Sequence, residues 1–189
     1  MRLYRQLGEQ ATRLENLDIY SRADNLIIKG LPERSYAERA SDGPSNADKA
    51  AVPSANSSLA VETTVLEFCR EALKLNINQY DISIAHRLKA SANDKCRPII
   101  VRFTNRRARE SVLRAKKSLK TANLPNPVYI TEQLTKAADS LYFEARKRLR
   151  EKKLSAAWTF NGQVFVKFSE DAAEKATVVK VLRDLNIPK

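Results

Sequence analysis

The sequence predicts an α+β fold: a four-stranded antiparallel sheet with two helices on one side, followed by a second, smaller α+β unit. Three observations lead there. Between residues 24 and 134, short apolar runs closed by turn residues alternate with helically spaced segments in the order β-α-β-β-α-β. An Asn161-Gly162 pair separates two strand-like runs, the signature of a two-residue hairpin turn. The 189 residues are 43% hydrophobic, enough to build a core.

Taken in order, residues 3 to 21 space Leu3, Leu7, Gln10, Leu14, Leu17 and Ser21 by alternating steps of four and three, the seam of a coiled coil. The seam spans fewer than three heptads and contains Gly8. Two readings stand for residues 1–23: the end of an oligomerisation helix, or one amphipathic helix packed on its own domain. Asn25 to Pro32 reads as a first strand closed by turn residues. Residues 33–60 turn to Ser, Ala, Asn, Asp, Gly and Pro, a composition too poor in apolar surface to offset chain entropy, and are expected to form a disordered loop. Helical spacing returns with Val61, Val65, Phe68, Cys69, Ala72 and Leu73.

Ile82 to Arg87 forms the second expected strand and Arg97 to Phe103 the third. A basic helix over 105–119, with Asn105 as N-cap, and a strand over 128–131 complete this domain, 24–134. Alternation on the third strand places Ile99, Val101 and Phe103 inward, and Pro98, Ile100 and Arg102 on the uncovered sheet face beside Ile27 and Lys29 or Tyr129. Residues 135–189 form the C-terminal domain: a helix capped by Thr135 and running to about Leu154, the hairpin of 157–168, and a closing helix over 170–185 with Ala173, Ala176, Val179, Leu182 and Leu185 inward.

Charge points to a polyanion as partner. The formal net charge is +12. From His86 to Ser118 eleven Lys and Arg residues stand against Asp94 and Glu110 alone. Arginine leads that cluster, and its planar fork offers two parallel donors to a phosphate. A second cluster lies on one side of the C-terminal helix, at Lys136, Arg146, Lys147, Arg148, Arg150, Lys152 and Lys153, and a basic run of this length also has the composition of a nuclear localisation signal.

Other chemistries lack their residues. His86 is the single histidine and the two cysteines, Cys69 and Cys96, are far apart in sequence, so no metal site is expected and Cys69 reads as a small buried hydrophobe. Only four glycines occur, with no nucleophile elbow and no phosphate-binding loop, so neither an enzyme nor a cofactor is expected. No apolar run is long enough to span a bilayer, and the opening residues form no signal-peptide core, from which a soluble intracellular protein is expected. Of the RNA recognition motif's pattern on the third strand, Val101-Arg102-Phe103 remains, while the stacking positions hold Pro98, Ile100 and Ile27. Weak base stacking and low sequence preference follow. Trp158 and Phe160 are read as hairpin core, with base stacking as the alternative for an aromatic exposed there.

In order along the chain, five segments resemble one family: Leu14 to Glu33, His86-Arg87-Leu88, Arg97 to Phe103, Tyr129 to Thr135, and Ala157 to Lys167. The family is the first-open-reading-frame protein of LINE-type non-LTR retrotransposons, together with its relative, the baculovirus few-polyhedra protein. The resemblance covers most of the chain. It implies a trimerising coiled coil, an RNA recognition motif and a C-terminal nucleic-acid-binding domain that coat single-stranded RNA, with DNA as a second ligand, and act as a nucleic-acid chaperone in a cytoplasmic or nuclear ribonucleoprotein. By position it implies RNA contacts at Arg22, Arg87, Arg97, Arg102 and the basic helix. Together with the charge clusters, the candidate interface is Arg22, Lys29, Arg87, Lys89, Arg97, Arg102, Arg106, Arg107, Arg109, Arg114, Lys116 and Lys117, with Arg146, Lys147, Arg150 and Lys153 from the C-terminal domain. The alternative is a coiled-coil adaptor of the few-polyhedra type, acting through protein partners.

Overall fold

The structure is a computed structural model that describes residues 2–33, 58–89, 96–120, 124, 126–171 and 175–186. It is a mixed α+β chain. Among the described residues there are four α-helices and two sheets, one of four strands and one of three. Contacts divide the chain into two units, Asp24–Thr131 and Met1–Ala23 with Glu132–Lys189, so the N-terminal helix groups with the C-terminal residues.

The first unit contains β1 (Asn25–Lys29), α2 (Ser58–Glu71), β2 (Ile82–Arg87), β3 (Ile99–Phe103), α3 (Arg106–Ala115) and β4 (Tyr129–Glu132, whose last residue belongs to the second unit). The sheet order is β2-β3-β1-β4. β3 pairs antiparallel with both β1 and β2. Its period-two alternation buries Ile99, Val101 and Phe103, while Ile100 and Arg102 point the other way. Leu26 and Ile28 of β1 join the buried row, and α2 and α3 close over it with Val61, Val65, Phe68, Cys69, Ala108 and Val112. Asn105 caps α3 as its spacing predicts, its side-chain oxygen accepting from Ala108 N at 2.8 Å.

Two local features adjust this plan. A bulge between Ile82 and Ile84 lets Ile82 face Phe103 in the core, whereas Ile84 stands opposite Arg102 on the other face. Gly30 has φ +93°, and a Cβ there would lie 2.2 Å from the carbonyl oxygen of Pro127, so only glycine lets the segment before β4 pass this close. Most of the expected disordered loop, residues 34–57, lies outside the described residues. Both of its ends lie inside. Glu33 is tied to Arg97, and α2 begins at Ser58, whose hydroxyl donates to the Ala85 carbonyl.

In the second unit α4 (Lys136–Arg150) starts where Thr135 caps Ala138 N. It stops short of Leu154. Lys152 takes φ +57°, and the amides of Lys152 and Lys153 donate to the carbonyls of Leu149 and Arg148, a left-handed C-terminal closure. β5 (Ala156–Phe160) and β6 (Gln163–Lys167) form the expected hairpin about Asn161-Gly162. The closing helix expected over 170–185 is absent among the described residues. Instead β7 (Thr177–Val179) adds a third strand on β6, and a short 3-10 turn follows at Leu182–Asn186. Three consecutive β-branched residues suit a ladder better than a helix, and the Asp184 carboxylate accepts from the amides of Lys180 and Val181 to hold the turn.

This core holds Leu141, Ala145, Val164, Val166, Val179 and Leu185. It excludes Trp158 and Phe160, which the sequence reading placed there: on the hairpin, Val164 and Val166 take the inward positions and the aromatic residues fall on the opposite face. The N-terminal helix α1 (Arg2–Ser21) is held to this unit at its C-terminal end. Thr135 Oγ1 donates to Glu15 Oε1, and a Cβ at Gly162, which has φ +75°, would come 2.8 Å from Ile19 Cγ2. Leu3, Leu7, Leu14 and Leu17 of the seam are all exposed.

Replacing Phe103 with Ala is expected to cost about 3–5 kcal/mol in urea unfolding, because the ring is fully enclosed. Ile84→Ala, on the other face of the bulged strand, is expected to cost less than about 1 kcal/mol.

Candidate nucleic-acid interface

Register defines the sheet face that α2 and α3 leave open. Arg102 stands opposite Ile84 and Asn25, while Ile100 stands opposite His86 and Ile27. Lys29 is exposed at the end of β1. On β4, Tyr129 and Thr131 alternate with the core residue Ile130 and share the open side; the tyrosine is 61% exposed. The centre of the face is therefore aliphatic. His86 and Tyr129 are its π surfaces, and the exposed Arg102 side chain has no hydrogen-bond or ion-pair partner among the described residues. Pro98, expected to face outward, is buried. It precedes the first residue of β3, so strand alternation does not govern it, and its carbonyl accepts from Leu88 N at 2.7 Å.

The candidate arginines divide into groups with different work. Arg87 is a clasp: Nη1 donates to the carbonyls of Leu31 at 2.9 Å and Arg97 at 2.8 Å, and Nη2 to that of Pro32 at 2.7 Å. One guanidinium thus gathers the exit of β1 and the entry to β3. Burial lowers its pKa against the pull of Glu33, yet three carbonyls give the cation good reason to stay. Arg97 forks onto Glu33, with Nε 3.0 Å from both carboxylate oxygens and Nη2 2.8 Å from Oε2, while its own amide donates to Oε1. Those hydrogen bonds hold the Glu33 carboxyl down at about 2, from an ordinary 4.5. Arg109 is only 4% exposed. Arg87 and Arg109 are consequently occupied by the fold, and Arg97 by its carboxylate; spacing alone could not separate them from surface cations.

Arg106 contacts Asp24 at 3.2 Å and Arg114 contacts Glu110 at 3.2 Å, both in exposed settings where an ion pair is weak and a phosphate can compete. Lys89, Arg107, Lys116 and Lys117 are exposed and, among the described residues, their side chains make no hydrogen bond or ion pair. With Arg102 they make the first unit's uncommitted cations.

In the second unit Arg150 is exposed on α4 with a side chain that is likewise uncommitted among the described residues, whereas Lys153, the exposed Lys147 and Arg148 act together on the Glu151 carboxylate, lowering its pKa. Arg146 lies 5.9 Å from the Tyr142 ring centroid, a cation–π contact one helical turn away. Lys153 pairs with Glu151 at 2.8 Å, and Arg22 pairs with Asp18 through two hydrogen bonds of 2.8 and 3.3 Å. Arg148 leaves the basic side: it contacts Glu144 at 3.3 Å and donates to the Leu185 carbonyl, linking α4 to the last described turn.

Nothing in the described residues gathers three His, Cys, Asp or Glu side chains into a metal site. Burial pushes the Cys69 thiol up to about 12, which leaves it an inert core hydrophobe. In the first unit a cleft of about 240 Å³ is lined by Leu31, Phe68, Ala72 and Val128 together with Glu67 and Glu71, carboxylates that disfavour an anion. Among the described residues no helix is long and apolar enough to cross a membrane. No protein-family model and no curated protein matches the chain.

The clasp and the uncommitted cations separate experimentally. Arg87→Ala strands three carbonyls and is expected to lower stability by about 1–3 kcal/mol in chemical denaturation; Arg102→Ala is expected to shift it by less than about 0.5 kcal/mol. Acid titration tests the Arg97–Glu33 fork. Because the folded carboxyl is depressed, its contribution is full above pH 4.5 and is lost as pH falls through about 2. The stability difference between the natural chain and Glu33→Gln should therefore shrink across that window, by a small amount given the exposure of the pair.

Proposed function

We propose that the chain is a sequence-tolerant, non-enzymatic single-stranded nucleic-acid-binding protein that prefers RNA, with an RRM-like first unit. Support for the RRM-like reading is the sheet order with β1 and β3 at the centre and one open face, the arrangement of the split β-α-β family of folds. The observation that carries the functional reading is the set of exposed cationic side chains without protein partners among the described residues: Lys89, Arg102, Arg107, Lys116 and Lys117. A cation left uncommitted can take a phosphate without first breaking an ion pair. Each phosphate neutralised releases condensed counterions, which drives binding without reference to base identity. The aliphatic centre of the sheet face offers little direct readout, in keeping with low sequence preference. Following the resemblance above, the setting is a LINE-type retrotransposon ribonucleoprotein, cytoplasmic with access to the nucleus. There the chain self-associates as a trimer and chaperones strand exchange.

A second reading draws on α1. Its exposed Leu3, Leu7, Leu14 and Leu17 form an apolar seam suited to another helix, as a coiled-coil adaptor acting through protein partners requires. Co-purification of a protein partner that survives nuclease, alongside no RNA affinity, would favour it.

The test is anisotropy of labelled single-stranded RNA against salt. With about five phosphates engaged, log K should fall with log salt at a slope near −3.5. Arg102→Ala and Arg107→Ala should each flatten that slope by roughly 0.7 and weaken all homopolymers alike. A salt-independent affinity would refute the reading.

A further inference from the structure

We propose that the outer face of the second unit's sheet is a stacking platform for unpaired bases, formed by Trp158, Phe165 and Phe160. The inference rests on the nucleic-acid reading and names a base-contacting site within it. The residues of this hairpin alternate strictly. Val164 and Val166 enter the core beneath α4, which forces Phe165 to the opposite face. Trp158 stands directly across from Phe165, and Phe160 lies two residues further along β5 on the same side.

The three rings interact with one another instead of with either core. The indole and the Phe165 ring are nearly parallel, at 13° and 5.8 Å between centroids, while Phe160 meets Phe165 edge-on at 66° and 6.4 Å. Phe160 is 58% exposed. The face continues with Gln163 opposite Phe160 and Lys167 opposite Ala156, and its paired positions hold no carboxylate.

That composition favours one occupant. A purely apolar protein partner would want a face dominated by branched aliphatic side chains, whereas here Val178, opposite Phe165, is accompanied by three π surfaces, an amide and an ammonium. Rings take the flat faces of bases, an amide pairs with their edges, and a lysine receives the phosphate between them. Stacking needs no particular base, in keeping with a sequence-tolerant ligand, and gives the protein a means of preferring unpaired strands over duplex.

Trp158 is the chain's single tryptophan, so its emission reports this face alone. The full chain is titrated with a labelled uridine oligomer and with an abasic oligomer of equal length, following anisotropy and tryptophan emission together. Expected is binding of both, with emission quenched at saturation by the uridine oligomer only. Phe160→Ala and Phe160→Leu should each weaken uridine-oligomer binding about tenfold, within the worth of one stacked base, and leave abasic binding unchanged. Equal quenching by both oligomers, or an equal loss of both affinities in the variants, overturns the platform while the phosphate-binding reading stands. Emission that changes on dilution without any oligomer would assign the face to a second copy of the chain and likewise overturn it. If neither oligomer binds, both proposals fall.

Discussion

Everything in the first unit is organised by the two-sidedness of β3. This central strand pairs antiparallel on both edges, so its backbone is fully engaged and its side chains have only two directions available. Ile99, Val101 and Phe103 take one direction and join α2 and α3 in a continuous core. Ile100 and Arg102 must then take the other. A shift of a single residue would exchange these sets and place a guanidinium in the core, a cost large enough to hold the register firmly. The exposure of Arg102 is thus a by-product of core packing, and the same constraint that stabilises the fold presents the cation.

Charge density on this protein does not translate directly into binding capacity. Arginine is used for two jobs that composition cannot tell apart. Where a chain exit and a strand entry bring several carbonyls together, as around Arg87, the guanidinium's multiple donors make it a cross-link between backbone segments. Where no acceptor among the described residues engages the side chain, as at Arg102 and Arg107, the exposed cation is available. Between the extremes sit pairs such as Arg106 with Asp24, whose exposure keeps them weak enough to exchange for a phosphate.

The second unit repeats the logic with aromatic residues. Burial of Val164 and Val166 beneath α4 decides the fate of the residues between and across from them. Large rings that would ordinarily be sought in a core are left to stack on each other. Hydrophobicity alone misassigns Trp158 and Phe160; the alternation of their neighbours is the signal that places them.

Local chemistry was readable from the residues themselves. The helix starts at Asn105 and Thr135, the Asn161-Gly162 turn, the order of the first unit's elements and the inward row of β3 all follow from hydrogen-bonding capacity and periodicity within a few positions. Tertiary structure decided what depends on residues distant in sequence. The Ile82–Ile84 bulge is set by the facing strand, the claim on Arg97 by a glutamate sixty-four positions away, and the identity of residues 177–179 as a strand by the free edge of β6. Short β-branched segments and arginine side chains have several partners of similar energy, and only the assembled chain determines which of those partners lies within reach.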